Sequence, residues 1–305
     1  MKILIIKPSS LGDVIHSLRV VAQIKKSLPK SKIHWVIKSG LEEILINSQV
    51  VDYYYLFNRG AGALSFLKLL QEIRSQKYDF ILDMQGLLRS AIIGFLAKGG
   101  EKLGRADGRE GSTLFYKAVA DQSRSKSLHA IDRLSPFLKE LGVKRYEENL
   151  PLSFNLQEKS LFVNATKQIL LFPESRRKEK VWPYFTELAK ELSSQTNNEI
   201  VIAGNEKCKG FGKCTDLRQA LSIGQLPDLI KSSRIVICND SAPLHMASAI
   251  GAKVVGLFGP TDSNEYGPYP KGQITSMVLQ SHDGKMGSIS LDQVMRGVNY
   301  LMNLE

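Results

Sequence analysis

Short apolar runs alternate with amphipathic stretches along the whole chain, and the alternation occurs twice. The runs that predict strands are residues 2–6, 33–37, 53–56 and 80–82 in the first half and residues 168–172, 199–203, 234–238, 253–258 and 276–279 in the second. The helical periodicity predicts helices that include residues 14–28, 63–76, 184–194, 226–232 and 291–303. Strands that alternate with helices are typical of parallel sheets, so the pattern predicts an α/β protein.

The two rounds of alternation predict two Rossmann-like domains, residues 1–150 and 151–305, joined near residues 146–160. A chain of 305 residues is long enough for two domains of ordinary size. Open parallel sheets bind ligands beyond the carboxyl ends of their strands. We therefore expect the domains to face each other across a substrate cleft. The last helix, residues 291–303, is a candidate to cross back onto the first domain.

Cysteine usage and hydropathy favour a reducing compartment and no membrane span. Cys208, Cys214 and Cys238 form an odd set without a CxxC pair, which argues against a disulfide framework and a structural zinc site. The apolar stretch before Lys7 is too short for a signal peptide, and no run approaches the roughly 20 apolar residues of a membrane span. These features predict a cytoplasmic protein that is soluble or peripheral to a membrane.

Positive charge is concentrated in the first half. Residues 1–150 carry 24 basic and 15 acidic side chains, a net charge of +9, and residues 151–305 carry 17 and 15, a net charge of +2. This bias indicates an acidic partner for the first half, and nucleic acid, an anionic membrane face and a phosphorylated substrate are the candidates. Lysines that only keep the surface soluble are the alternative.

The loop after the first strand places a carboxylate where a helix begins. Asp13 precedes the helical pattern at the carboxyl edge of the first strand. It is either an N-cap, which accepts backbone N–H bonds, or a general base at the ligand edge of the sheet. Lys7, on the same loop, is either a solvated lysine or an anion ligand. The loop lacks a GxGxxG pattern, which argues against a dinucleotide dehydrogenase.

Two further stretches of the first half carry candidate ligands. Gln85 stands in a tight turn after the strand at residues 80–82, and Arg89 follows about one helical turn later. An ordinary polar loop is the alternative there. Residues 104–111 are rich in glycine and contain two arginines, Arg105 and Arg109, so they are suited to bidentate binding of a carboxylate or phosphate.

In the second half, two charged loops follow predicted strands. Residues 173–183 hold a basic run before a helix, which predicts either a phosphate site or a solvated charge run. Glu206 follows the next strand, where an acidic side chain commonly binds ribose hydroxyls; a surface acid is the alternative.

Residues 234–251 read as a strand, a tight turn and a helix that ends at Gly251. The backbone N–H groups of Ser241 and Ala242, together with the helix dipole, predict an anion site. His245 lies about one turn into the helix and either reaches the same anion or belongs to the core. The turn at residues 258–262 is expected to bring a further strand end close to this site.

Motifs stand in order along nearly the whole chain. They are residues 6–16 (IKPSSLGDVIH), 83–87 (DMQGL), 108–110 (GRE) with 114–116 (LFY), 180–183 (KVWP), 239–245 (NDSAPLH) and 257–262 (LFGPTD). With these motifs the chain resembles the ADP-heptose:lipopolysaccharide heptosyltransferase family, glycosyltransferase family 9. The opening loop is most similar to heptosyltransferase I, the member that adds the first heptose.

The resemblance implies a GT-B fold and an inverting, metal-independent transfer of heptose from ADP-heptose to the Kdo/heptose inner core of lipopolysaccharide. It implies that Asp13 is the general base and that Lys180 is a catalytic phosphate ligand. The nucleotide-binding residues it implies are Ser175, Lys180, Glu206, Asp240, Ser241, Ala242 and His245. The candidates for acceptor binding are Lys7, Ser10, Gln85, Arg89 and Arg109. The family usually has Gly where this chain has Ala242, so a methyl group there requires an ordinary backbone angle.

The implied partners are ADP-heptose, an acceptor of the Kdo-lipid A type and the anionic cytoplasmic face of the inner membrane, where the protein would be peripheral. No cofactor and no metal ion is expected, and nucleic acid is not an expected partner. Two other classes fit parts of the sequence. A GT-B sugar-nucleotide epimerase would share the architecture, and a non-catalytic protein that binds nucleotide sugars or nucleic acid would fit the basic charge.

Overall fold

The computed structural model describes residues 1–119, 128–155, 168–205 and 211–304. The chain divides into two compact units, Met1–Asn155 and Leu156–Glu305. Each unit contains one six-stranded sheet, and all strand pairs within the two sheets are parallel. None of the helices in the described ranges combines the length and the apolar character needed to cross a membrane.

The first unit alternates strands and helices from its first residues. Its elements are β1 (Lys2–Ile6), α1 (Leu11–Ser27), β2 (Lys32–Lys38), α2 (Glu42–Asn47), β3 (Tyr53–Phe57), α3 (Gly62–Arg74), β4 (Lys77–Asp83), α4 (Leu88–Leu96), β5 (Lys98–Arg105), β6 (Lys117–Val119) and α5 (Pro136–Glu140). Short 3-10 turns occur at Ser112–Phe115 and Asp132–Leu134. The sheet order is β3-β2-β1-β4-β5-β6.

The second unit follows the same plan. Its elements are β7 (Gln168–Phe172), α6 (Phe185–Gln195), β8 (Glu199–Ile202), β9 (Thr215–Asp216), α7 (Leu226–Ser232), β10 (Ile235–Asn239), α8 (Ala242–Ile250), β11 (Val254–Phe258), α9 (Ser263–Tyr266), β12 (Ser276–Gln280) and α10 (Leu291–Met302). Its 3-10 turns lie at Lys178–Lys180, Ile223–Gln225 and Met286–Ser288. The sheet order is β12-β11-β10-β7-β8-β9.

Both sheets have the doubly wound Rossmann strand order. Counted from the first strand of its own unit, each sheet reads 3-2-1-4-5-6. The order therefore reverses once in each sheet, between β1 and β4 and between β7 and β10. In sheets of this kind ligands bind outside the carboxyl ends of the strands at the reversal point. The predicted α/β class with two Rossmann-like units is confirmed.

The helix α1 follows β1 at the first reversal point and is buried on nearly all of its faces. Residues 14–24 are all buried, including Arg19 and Gln23. Arg19 Nη2 donates to the carbonyl oxygen of Glu148 at 2.9 Å, and Gln23 Nε2 donates to that of Glu147 at 2.5 Å. A polar segment near the end of the unit thus covers the middle of α1 and part of its last turns.

The hydrophobic pattern of the sequence did not predict three of the strands, which are β5, β6 and β9. The first residues of β5 are charged or glycine, so no apolar alternation marks it. The glycines have a steric reason, since a Cβ at Gly99 or Gly100 would overlap the carbonyl oxygen of Tyr78 or Asp79 on β4. Close approach of two strands excludes side chains there and also removes the signal that would predict the strand.

The helix predicted at residues 291–303 is α10, and it packs within the second unit. It contacts β10, β11, β12 and α6. Its apolar side chains Val294, Val298 and Leu301 are fully buried in the core that these elements share. Ser290 caps its start by accepting from Gln293 N, with Gln293 Oε1 accepting from Ser290 N.

Candidate active site

Asp13 lies in the first turn of α1, beside the reversal point of the first sheet. Its Oδ2 accepts hydrogen bonds from Ser10 N at 3.0 Å and from Ser10 Oγ at 2.7 Å. Ser10 is the N-cap and Asp13 is the third residue of the helix, so the alternative that made Asp13 the N-cap is wrong by three positions. The Asp13 side chain is nevertheless 47% exposed. The carboxylate is therefore held in place and still open to a ligand.

Lys7 is buried beside Asp13. Its side chain is only 3% exposed, and its Nζ lies 3.9 Å from Asp13 Oδ1. Burial lowers the pKa of Lys7, and the Asp13 carboxylate opposes that shift. Trp35 Nε1 donates to the Lys7 carbonyl oxygen at 3.0 Å, which anchors the backbone. The solvated alternative for Lys7 is excluded, and its ammonium lies against the candidate base.

Asp83 organises the adjoining loop, a role that the sequence did not reveal. It ends β4, pairs in register with Ile6 and is 2% exposed. Its Oδ1 accepts from Gln85 N and Gly86 N, both at 3.0 Å, and its Oδ2 accepts from Ser90 Oγ at 3.0 Å. Burial raises the pKa of Asp83 to about 6, although these donors favour its ionised form.

The loops after β1 and β4 meet at this edge. Ser9 N donates to Gln85 Oε1 at 3.5 Å. Gly86 has a φ of +69°, which favours glycine, and a Cβ there would come within 3.3 Å of the Gly108 Cα. Arg109 N donates to the Gly86 carbonyl oxygen at 2.8 Å. The structure thus brings Lys7, Ser10, Asp13 and Gln85 together and joins the Arg109 loop to them.

The arginines of the first unit differ in their surroundings. The Arg109 and Arg89 side chains are exposed, and the Arg89 guanidinium carbon lies 5.9 Å from the centre of the Phe57 ring. Arg105, the other arginine of the glycine-rich stretch, donates to Asp107 twice, from Nε at 2.7 Å and from Nη2 at 2.5 Å. Of the two arginines predicted to suit bidentate binding, Arg105 thus binds a carboxylate of the chain itself.

In the second unit, Asn239 ties together the loops at the reversal point. This residue ends β10 and is fully buried. Its Nδ2 donates to the Pro173 carbonyl oxygen at 3.0 Å, and its Oδ1 accepts from Trp182 N at 3.0 Å. The sequence signal that could have found it is a polar side chain at the end of a fully buried strand.

Asp240 is the centre of a small polar cluster. Lys180 Nζ lies 2.5 Å from Asp240 Oδ2, and the two side chains are 15% and 5% exposed. Thr261 Oγ1 donates to the same oxygen at 2.7 Å, so the turn after β11 reaches the site as expected. His245 Nε2 lies 3.8 Å from Asp240 Oδ1. Asp240 thus holds the Lys180 ammonium, and its carboxylate would itself repel an anion placed against it.

The basic run at residues 176–180 contains exposed charges and one lysine that is turned inward. Residues 176–179 are exposed, and Arg177 pairs with Glu179 over 2.6 Å between Nη2 and Oε1. Lys180 alone of the run ends the 3-10 turn and points to Asp240. Ser175 is half-buried three residues after the end of β7, next to Glu174. A solvated run of charges therefore stands beside one inward-turned lysine, Lys180, which stays the candidate anion ligand.

The start of α8 provides the predicted backbone site. Ser241 is the N-cap, Ala242 and Pro243 are the first two helical residues, and Gly251 ends the helix with a φ of 75°. Among the described residues other than glycine, only Glu110 and Gln219 have positive φ. Ala242 therefore has an ordinary backbone angle, and its methyl group needs no strain. The N–H groups at this helix start remain suited to an anion.

The predicted ribose ligand, Glu206, lies outside the described residues. The preceding residues are placed by another carboxylate: Glu174 Oε2 accepts from Asn205 N at 2.8 Å. Gly204 has a φ of +153°, and a Cβ there would overlap the Glu174 carboxylate. Glu174 is a further polar residue at this edge that the sequence did not single out.

The sequence of the chain is similar to those of known proteins. The model of glycosyltransferase family 9 (heptosyltransferase) matches residues 66–290. The lipopolysaccharide core heptosyltransferase OpsX of Haemophilus influenzae is 26% identical over 288 residues, covering 87% of this chain and 81% of that protein. Lipopolysaccharide heptosyltransferase 1 of Campylobacter coli is 28% identical over 298 residues, covering 86% and 85%.

Solved structures show the same fold. The Escherichia coli heptosyltransferase WaaC with ADP superposes with a TM-score of 0.81 at 22% identity, covering 98% of this chain and 99% of that one. A family 9 glycosyltransferase from Veillonella parvula gives a TM-score of 0.83 at 20% identity, covering 99% and 97%. The predicted GT-B fold is confirmed. Since the family model matches well over half of this chain, the chain belongs to glycosyltransferase family 9, the heptosyltransferase family.

Proposed function

We propose that this protein is an inverting, metal-independent heptosyltransferase that transfers heptose from ADP-heptose to the Kdo of a Kdo-lipid A type acceptor. The relatives from Haemophilus influenzae and Campylobacter coli carry the name of lipopolysaccharide heptosyltransferases. Solved structures of the Escherichia coli WaaC enzyme contain ADP and ADP-2-deoxy-2-fluoro heptose. These names support the substrate class, and the residues of this chain support the chemistry.

The observation that carries the proposal is the Asp13 carboxylate. It is oriented by Ser10, lies near the buried Lys7 ammonium and is half exposed at the ligand edge of the first sheet. A general base needs a carboxylate that is ionised, fixed and accessible. Asp13 would take the proton of an acceptor hydroxyl as that oxygen attacks the anomeric carbon. The nucleotide leaves from the opposite face, so the configuration of the sugar inverts.

The second unit supplies a site for the leaving group. As the bond to the sugar breaks, negative charge grows on the diphosphate of ADP. Lys180 and the backbone N–H groups of Ser241 and Ala242 provide positive charge and hydrogen bonds for it. His245, near Asp240, is a further neighbour of this site. Many glycosyltransferases use a metal ion for this task, and here Lys180 and the helix start would do it instead.

The proposed setting follows from the proposed acceptor. Kdo-lipid A carries phosphates and carboxylates and lies in an anionic membrane. The net charge of +9 on residues 1–150 fits such a partner. We propose a peripheral protein at the cytoplasmic face of the inner membrane, with no nucleic acid partner.

The test is to incubate the protein with ADP-heptose, with and without Kdo-lipid A, and to measure release of ADP and the mass of the lipid. We expect heptose transfer only when both substrates are present, unchanged activity in excess EDTA, and inverted anomeric configuration by NMR. Donor consumption without acceptor would indicate an epimerase or hydrolase. Strong inhibition by EDTA would contradict the metal-independent step.

A further inference from the structure

An uncharged and exposed segment joins β3 to α3 at the edge of the first sheet. Residues 60–67 carry no charge, and Arg59 and Lys68 flank them. Residues 58–64 are all exposed. Leu64 is 77% exposed and Leu67 is 53% exposed. We call the surface formed by Leu56, Arg59, Leu64, Leu67 and Lys68 the β3–α3 surface.

The leucines of this surface point away from the core. The buried face of α3 consists of Leu69, Leu70 and Ile73. Leu64, Leu67 and Lys68 are spaced by three and four residues, so they share the opposite face of the helix. The outward face of a helix in a globular protein is normally polar. Two adjacent exposed leucines there indicate a surface that contacts an apolar partner.

The charges around the leucines select the partner. Between Asp52 and Glu72 the chain contains no acidic residue, and its two charges, Arg59 and Lys68, are positive. Leu56 is 46% exposed and lines a shallow groove together with Lys68, and Glu72 lies on the same groove. Apolar side chains flanked by cations match the boundary between acyl chains and anionic headgroups in a membrane.

We propose that the β3–α3 surface docks the first unit on an anionic phospholipid bilayer. Leu64 and Leu67 enter the boundary between headgroups and acyl chains, and Arg59 and Lys68 bind lipid phosphates. The inference rests on the proposed function in one respect: the proposed acceptor is linked to lipid, so docking would place Asp13 on the side from which that acceptor approaches. The strands are parallel, so the carboxyl ends of β3 and β1 lie at the same edge of the sheet. Docking therefore brings the edge that carries Asp13 to the membrane.

The test uses sedimentation with vesicles of phosphatidylglycerol and phosphatidylethanolamine that contain no lipid A. We expect the full chain to bind them and the double variant Leu64→Gln/Leu67→Gln to partition at least tenfold more weakly. Arg59→Gln/Lys68→Gln should lower partitioning about fivefold per charge and remove the preference over phosphatidylcholine vesicles. The control Ile274→Gln/Tyr300→Gln changes residues of the second unit that are 80% and 57% exposed, and it should bind as the parent does.

Activity assays separate docking from sugar binding. With a deacylated, water-soluble acceptor, the leucine variant should transfer heptose as the parent does, whereas with acceptor in vesicles it should be slower. Docking is overturned if the parent does not bind the vesicles or if the leucine variant binds them as well as the parent does. It is also overturned if the leucine variant loses activity on the soluble acceptor. Docking would also be overturned if the parent is a dimer and the leucine variant is a monomer, since the surface would then be an interface between two copies. If the parent transfers heptose to neither acceptor, the proposed function fails, and the vesicle assay still decides docking.

Discussion

The Nζ of Lys180 lies 2.5 Å from Oδ2 of Asp240, and this pair stands at the start of α8. The two residues are 60 positions apart in the chain and are brought together at the reversal point between β7 and β10. Asp240 keeps the ammonium in position. Under the proposed function, an incoming diphosphate would therefore meet a cation that is already ordered, which lowers the entropy cost of binding it.

Lys180→Ala should weaken ADP binding by about 1.5 to 3 kcal/mol, the usual loss for a hydrogen bond to a charged group. Isothermal titration with ADP measures this loss. Lys178→Ala is the matched control, because Lys178 is exposed in the same 3-10 turn. Equal affinities for the parent and the Lys180 variant would remove Lys180 from the nucleotide site.

Asp13→Asn should lower turnover by about 10² to 10⁴ because the amide cannot accept the proton of the acceptor. ADP affinity should not change. The amide oxygen can still accept from Ser10 N, so the helix start is preserved. Asp13→Ala should show the same loss of turnover and an additional loss of about 1 kcal/mol in the free energy of unfolding.

A control for Asp13 is Asp292→Asn, which changes a carboxylate in the first turn of α10. Its turnover should equal that of the parent. Near-normal turnover of the Asp13→Asn variant would show that another group is the base.

Lys7→Met should move the acid limb of the kcat/KM profile to higher pH. The parent ammonium lies 3.9 Å from the Asp13 carboxylate and favours its ionised form. Without that cation, protonation of the base extends to higher pH, and activity falls earlier on acidification. Lys38→Met changes an exposed lysine at the end of β2 and should leave the profile in place. A purely structural role for Lys7 would lower the thermal stability without shifting the profile.

Asp83→Asn should change how stability depends on pH. Burial raises the pKa of Asp83 to about 6, above its unfolded value. A raised pKa means that the contribution of Asp83 to stability is fully present below about pH 4 and is lost as the pH rises through about 6. The variant cannot ionise, so its stability relative to the parent should increase over this range by up to about 3 kcal/mol. Urea unfolding from pH 4 to pH 7 measures the difference, and a constant difference would contradict the prediction.

The fold could be predicted where hydrophobic periodicity is strong. Both β1 and β7 have the predicted bounds, and so does α7, because each is an uninterrupted apolar or amphipathic run. The strand β5 could not be predicted. Its glycines are required by the close approach of β4, and they leave no alternation of apolar and polar residues. The pairing with β4 therefore determines this strand, and the local sequence does not.

The candidate site was predictable in its position and less so in its connections. Helix-start signals placed Asp13 near the start of a helix, but Ser10 and Asp13 are both common capping types, so spacing alone could not decide which of them is the N-cap. The charged loop of the second half contains four basic candidates, and only contact with Asp240 shows that Lys180 is the one turned inward. The roles of Asp83 and Asn239 depend on backbone donors and acceptors, which a sequence does not display.

The repeated strand order has an evolutionary consequence. Because each half of the chain has its own reversal point, the loops that follow β1 and β4 can diverge while those that follow β7 and β10 stay unchanged. Under the proposed function, a lineage could therefore adopt a new acceptor while the loops that would bind the nucleotide stay unchanged. The same separation lets a protein engineer exchange the first pair of loops as a module.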